Sequence, residues 1–244
     1  MKICVVIPVY NHGEAITAVV NAVHGHHLHC ILVDDGSNAD CAAVLDRLEK
    51  KGHNTSLVRL QQNQGKGGAM IAGLRYAYDL GYSHALQIDA DGQHNAADIP
   101  TFIALARQNT QALIFGYPVY DKSVPKARFY GRYATHIWVW INTLSLAIKD
   151  SMCGFRIYPL APTIALLNSC HIGRRMDFDI DIAVRLCWRG IPIINQPTRV
   201  TYPSDGISHF KALLDNVLIS RMHAKLFIGM LLRSPRLIWR KFFS

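Results

Sequence analysis

Five short, mostly apolar runs rich in Val, Ile and Leu divide the first 116 residues, and four of them end directly in a polar cluster. The runs are Cys4 to Pro8, Cys30 to Val33, Ser56 to Leu60, Ala85 to Ile88 and Ala112 to Phe115. They are too short for helices and too continuously apolar for strands with one face in water, so they read as strands buried on both faces. Stretches of helical periodicity separate them: Ala15 to Val23, Ala42 to Leu48 and Ala69 to Leu80. Strand–helix alternation of this kind predicts a mostly parallel sheet with right-handed crossovers, a doubly wound α/β half. In such sheets a ligand lies beyond the carboxyl ends of the strands.

The polar clusters stand at those ends. Tyr10-Asn11 follows the first run, Asp34-Asp35-Gly36-Ser37 the second, Asn63-Gln64-Gly65-Lys66-Gly67 the third and Asp89-Ala90-Asp91-Gly92-Gln93 the fourth. Beyond Gly116 the reading is a long aromatic-rich helix, the segment Cys153-Gly154-Phe155-Arg156, a helix near Phe178 to Trp188 and a strand from Ile191 to Val200. Pro203 to Ile207 reads as a loop. From His209 the chain is helical and amphipathic, with a break expected at Pro235. The expected organisation is one catalytic domain over residues 1–205 and a basic helical tail over 206–244.

Composition excludes several classes. Half of the 244 residues are hydrophobic and 18% charged, which fits a globular chain and excludes disorder. The six scattered cysteines form no C-x-x-C pair and read as structural thiols in a reduced compartment. The first apolar run carries Pro8 and reads as a strand rather than a leader. No run reaches the ~18–20 apolar residues of a membrane span. Of the net charge of +9, the tail from Gly206 holds +6, from seven basic residues and Asp215. Such a tail suits an anionic lipid surface, or its apolar face packs on the catalytic domain. Nucleic acid is not expected, because no aromatic interleaving or reader motif accompanies the charge.

Each cluster has a chemical reading beside a structural one. Asp89 and Asp91, one residue apart past a strand, suit a hard divalent cation that bridges diphosphate oxygens, with Gln93 as a further oxygen donor. The plain alternative is a capped turn. Asp34 and Asp35 read as a turn with Ser37 or Asp40 capping the next helix, or as a contact to a base N–H, for which Asp35 is favoured. Gly65-Lys66-Gly67-Gly68 opens a helix and suits a phosphate, although it lacks the Walker A spacing. Asp179 and Asp181 stand in the first turn of a helix, either for dipole reasons or as a general base. Asp181 is favoured if the acceptor is a hydroxyl. Arg128 and Arg132, one turn apart, read as a solvated face or as a clamp for an acceptor phosphate. The twelve histidines show no metal spacing.

Taken in order, these pieces resemble the inverting family-2 glycosyltransferases with a GT-A fold. Within that family the resemblance is to the dolichyl- or polyprenyl-phosphate sugar transferases. It rests on Val6 to Asn11, Val33 to Ser37, Asn63 to Ala69, Gln87 to Gln93, Asp150 to Arg156 and Phe178 to Asp181, in the family's order. The resemblance implies that Pro8, Tyr10 and Asp35 line the base and ribose pocket, with Lys66 near the nucleotide. It implies that Asp89, Asp91 and Gln93 hold Mg²⁺ or Mn²⁺, and that Arg128, Arg132 and Arg156 meet donor or acceptor phosphates. The implied activity is transfer from a nucleotide diphosphate sugar to a lipid-linked acceptor, a polyprenyl phosphate or hydroxyl. It would occur in the cytoplasm, at the inner face of the cytoplasmic membrane. A nucleotide-sugar-binding scaffold without turnover is the alternative. The chain departs from the family pattern at Met152-Cys153, and at Asp181, where Glu is commoner.

Overall fold

The computed structural model describes residues 1–51, 54–119, 126–200 and 210–243. Seven strands, β1 (Ile3–Val9), β2 (His29–Asp34), β3 (Thr55–Arg59), β4 (His84–Gln87), β5 (Leu113–Val119), β6 (Arg156–Pro159) and β7 (Ile193–Arg199), form one sheet in the order β3-β2-β1-β4-β6-β5-β7. All pairings are parallel except those of β6 with β4 and β5. The helices are α1 (Gly13–His24), α2 (Ala39–Lys51), α3 (Lys66–Asp79), α4 (Ile99–Gln108), α5 (Lys126–Thr143), α6 (Leu160–Ser169), α7 (Phe178–Trp188) and α8 (Ala212–Phe243). This is the mostly parallel α/β architecture that the apolar runs predict.

The continuity of those runs has a direct cause. In β1 and β2, Val6, Ile31 and Val33 face a core shared with α3, α6, α7 and α8, whereas Val5, Ile7 and Leu32 face a second core under α1, α2 and α4. Alternate side chains therefore leave opposite faces of the sheet, and both faces are covered. The chain runs from β1 outward through β2 to β3, then returns to place β4 on the other side of β1. That reversal is the topological switch point, where ligands of such sheets bind.

Three local expectations are corrected. Strand β6 and helix α6 do not stand out in the sequence, since Arg156–Pro159 is only four residues long and carries an arginine in the sheet. The helix α2 is capped by Asn38, whose Oδ1 accepts the Cys41 N–H at 3.0 Å, rather than by Ser37 or Asp40. Pro235 does not divide the last helix, because α8 runs through it. A proline at that position leaves the Leu231 carbonyl without its usual N–H donor. The Ser234 hydroxyl donates to that carbonyl at 2.8 Å instead.

The tail is packed along one face. Met222, Leu226, Met230 and Leu237 of α8 join the core, and Arg240 donates to the carbonyls of Cys187 and Trp188 at the end of α7. Among the described residues, no helix is long and apolar enough to cross a membrane. The six cysteines are unpaired, and burial pushes the thiols of Cys4, Cys30 and Cys153 up to about 12.

Candidate active site

The loops after β1, β2 and β3 are laced together by buried polar groups. The Asn11 N–H donates to Ser37 Oγ at 3.1 Å, and Asn11 Oδ1 accepts the Asn38 N–H at 2.8 Å. The two adjacent acids divide their work. Asp34 accepts the Ser37 N–H at 2.9 Å and pairs with Arg59 Nε at 3.0 Å, so it closes its own turn against β3. Asp35 reaches across instead, accepting the Gln64 N–H at 2.7 Å and the Gly65 N–H at 2.9 Å, and so fixes the loop that leads into α3. Burial pushes the Asp35 carboxyl up to about 6, against those two N–H donors.

Lys66, the first residue of α3, extends into the centre of the rim. Its ammonium lies 2.9 and 3.0 Å from the two oxygens of Asp89 and 2.9 Å from Asp179 Oδ2. Burial works against that charge, but Asp179 and Asp89 outweigh it and hold the Lys66 pKa above the ordinary lysine value. Burial likewise disfavours the Asp89 carboxylate, yet Lys66 and His94 keep its pKa well below the usual range. The His94 ring stacks on Phe155 with centroids 5.5 Å apart, and its Nε2 lies 3.6 Å from Asp89 Oδ2. Gly154 lies so close to Asp89 that a Cβ there would meet the carboxylate at 2.2 Å.

Asp91 accepts the Gln93 N–H at 3.0 Å, folding the turn after β4 back on itself. Burial, and then the neighbouring charge of Asp89, raise the Asp91 carboxyl above its ordinary value. The donor set fits Mg²⁺ or Mn²⁺. Asp89, Asp91 and the Gln93 amide are hard oxygen donors on one turn, and Asp89 Oδ1 is buried without a directed hydrogen bond. Among the described residues no group of three or more His, Cys, Asp or Glu side chains forms a cage. One or two carboxylates completed by substrate phosphate oxygens is the usual Mg²⁺ arrangement.

Residues 4–168, more than half of the chain, match the family model for Glycosyl transferase family 2. The chain belongs to this family. A UDP-N-acetylglucosamine–dolichyl-phosphate N-acetylglucosaminyltransferase of Methanococcus voltae is 35% identical over 173 residues, 64% of this chain and 68% of that protein. A polyprenol monophosphomannose synthase of Mycolicibacterium smegmatis is 26% identical over 218 residues, 84% and 79% of the two chains. Among solved structures, S. aureus TarS in complex with UDP-GlcNAc superposes with a TM-score of 0.63 at 16% identity, over 93% of this chain and 66% of that one. The mannosyltransferase PcManGT from Pyrobaculum calidifontis, in complex with GDP-Man and Mn²⁺, gives 0.59 at 15%, over 97% and 73%. These structures share the fold.

In this glycosyltransferase the two candidate bases occupy different surroundings. Asp179 belongs to the rim, where its Oδ1 also accepts Gln87 Nε2 at 3.2 Å and Lys66 holds its Oδ2. Asp181, favoured from sequence, is turned away from Lys66. Its Oδ2 accepts the Gly173 N–H at 3.0 Å, and its Oδ1 pairs with Arg185 one turn on. Arg156 is fully buried, its N–H groups donating to the carbonyls of Ser151, Cys153 and Asp179. It stacks over Phe115, fixes the Asp179 backbone and lies 3.5 Å from Asp179 Oδ1, beneath the rim. Arg132 is held by Asp150 in a two-bond pair of 2.6 and 2.8 Å. Burial disfavours the Asp150 carboxylate, but His136 and Arg132 keep its pKa depressed. Arg128 lies on α5 with its side chain outside the described residues. Pro8 and Tyr10 stand at and just past the end of β1, beside the Asp35 loop.

Gln87, Tyr158 and His94 were not singled out from sequence. Tyr158 donates to Gln87 Oε1 at 2.9 Å, completing a buried chain from β6 through Gln87 to Asp179. The signal for Gln87 was there, since it is the one amide inside an otherwise apolar run.

Proposed function

We propose that this glycosyltransferase moves a sugar from a nucleotide diphosphate sugar to a polyprenyl phosphate, with inversion, at the inner face of the cytoplasmic membrane. The observation that carries the choice of acceptor is the engagement of both candidate bases. Asp179 is bound by Lys66 and Gln87, and Asp181 by Gly173 and Arg185. A hydroxyl acceptor needs a carboxylate free to take its proton, whereas a phosphate arrives already ionised. The dolichyl- and polyprenyl-phosphate activities named for the M. voltae and M. smegmatis relatives support the same choice.

The residues divide accordingly. Pro8, Tyr10 and Asp35 form the base and ribose pocket, with Asp34 holding the Asp35 turn. Asp89, Asp91 and Gln93 would hold Mg²⁺ or Mn²⁺, which neutralises charge on the departing diphosphate. Lys66 adds a fixed positive charge beside that diphosphate, and Asp179 holds Lys66 in line. Arg132, oriented by Asp150, and Arg128 attract the acceptor phosphate. Arg156 acts through the Asp179 backbone. The acceptor oxygen bonds to the anomeric carbon as the diphosphate oxygen leaves from the opposite side.

Helix α8, with the outer face of α5, is read as the lipid contact. Tyr133, Ile137 and Trp138 of α5 and Leu213, Ile228, Leu232 and Trp239 of α8 are exposed. The basic Arg221, Lys225, Arg236 and Lys241 lie exposed among them on α8. Apolar side chains interleaved with positive charge suit an anionic leaflet.

Polyprenyl phosphate compared with polyprenol as acceptor, each with UDP- and GDP-sugars and Mn²⁺, tests the reading. Glycosyl phosphate of inverted anomeric configuration is expected from the phosphate alone. Equal turnover of the alcohol would refute the acceptor assignment, and retained configuration the inversion.

A further inference from the structure

Lys66 is placed where a cation would bind Asp89. Its ammonium sits within 3.0 Å of both Asp89 oxygens and 2.9 Å from Asp179, on a side chain only 18% exposed. The surroundings keep it there. Asp179 is fixed through its backbone by Arg156 and through its carboxylate by Gln87, so the lysine is drawn toward a partner that does not move. The charges nearly cancel. Asp89, Asp91 and Asp179 bring three negative charges, while Lys66 and Arg156, the latter 3.5 Å from Asp179, bring two positive ones. A divalent ion approaching the protein alone meets one net negative charge and a lysine already paired with its first ligand. A nucleoside diphosphate changes that balance, because it adds at least two negative charges and oxygen ligands of its own.

We propose that Lys66 is a resident counter-cation that suppresses divalent-ion binding at Asp89 until a nucleoside diphosphate is present, so that ion and nucleotide bind together. This rests on the donor reading above. Linkage then requires the nucleotide to raise Mn²⁺ affinity by the same factor by which Mn²⁺ raises nucleotide affinity. Lys66 is a positioning residue in this role, and removing it should uncouple the two ligands even where turnover is lost.

The experiment is Mn²⁺ titration of the full chain, read by the EPR signal of free Mn²⁺, with and without UDP or GDP. For the unaltered protein, the nucleotide should tighten Mn²⁺ binding by roughly 5–150-fold. In Lys66→Met, Mn²⁺ alone should bind about tenfold or more tightly than it does to the unaltered protein, with the nucleotide effect reduced. Lys66→Gln keeps hydrogen bonding without charge and should behave as Lys66→Met does, which covers failure of the methionine variant to fold. Mn²⁺ binding to the unaltered protein that is equally tight with and without bound nucleotide would overturn the counter-cation role and leave the donor reading standing. So would folded Lys66 variants with unchanged Mn²⁺ affinity. If neither UDP nor GDP binds with or without Mn²⁺, the donor reading itself is refuted and the inference with it.

Discussion

The rim of the first four strands and the outer surface of α5 and α8 follow opposite rules. At the rim nearly every polar side chain has a partner. Asp34, Asp35, Asp89 and Asp179 each hold a named donor, and the apolar side chains beneath them are buried in two cores. On the helical surface large apolar side chains stand in the open, with Leu213 84% and Leu232 78% exposed. A sheet edge that preorganises charge is suited to a small, highly charged ligand. An apolar face left open on a helix that is otherwise docked is suited to a second, hydrophobic phase. Among the described residues, one connection between the two regions runs through Asp215. Asp215 near the start of α8 is buried and pairs with Arg175, and the adjacent Arg174 carbonyl accepts the Gly68 N–H in the first turn of α3.

The contrast predicts separable failures. Asp91→Ala should lower sugar transfer by about 10²–10³-fold, the usual cost of removing an electrostatic group at a developing charge, with vesicle binding unchanged. Loss of both together would erase the division. Replacing Ile228, Leu232 and Trp239 by Ser should reduce partitioning onto anionic vesicles by about 10³-fold, given about 1.5 kcal/mol for each buried apolar side chain. Nucleotide affinity should stay the same, and co-sedimentation with calorimetry measures both. Gly154→Ala should reduce transfer by about tenfold or more, because a Cβ 2.2 Å from Asp89 Oδ2 would force that carboxylate to shift. Its urea midpoint should shift far less than its rate.

The smallest effect is in pH. Asp35 accepts N–H donors as a carboxylate, so affinity for UDP or GDP should decline by up to about tenfold per pH unit below about 6. Asp35→Asn should flatten that profile. Fold stability runs the other way. The folded carboxyl takes its proton more readily than the unfolded one, so this group costs no stability below its ordinary value of 3.8. Its cost grows as pH rises through about 6.

The two regions also differed in how plainly the sequence spoke. Strands β1, β2, β4 and β5 were legible because burial on both faces leaves mostly apolar runs, whereas the edge strand β3 is only partly buried, and the rim followed because their polar ends are adjacent in a parallel sheet. Asp35 and Asp89 follow β2 and β4, which flank β1. The functional division between Asp179 and Asp181 was not legible. Both are first-turn acids two residues apart, and only the approach of Lys66 to one and of Gly173 to the other separates them. That three carbonyls surround Arg156 was not legible, because nothing in the order of residues reveals it. In the tail, the helical period was visible, but not that Ser234 would carry the helix through Pro235. The apolar face of α5 was hidden for a related reason, since exposure depends on what α8 leaves uncovered.

The most direct test of the whole account is transfer of labelled sugar from a panel of nucleotide sugars into vesicles that contain polyprenyl phosphate, with Mg²⁺ or Mn²⁺ present. The account predicts that at least one donor labels the lipid, that label disappears with Asp91→Ala, and that it drops when Ile228, Leu232 and Trp239 become Ser. A protein that binds a nucleotide sugar yet never labels the lipid would instead be the silent scaffold, and would contradict it.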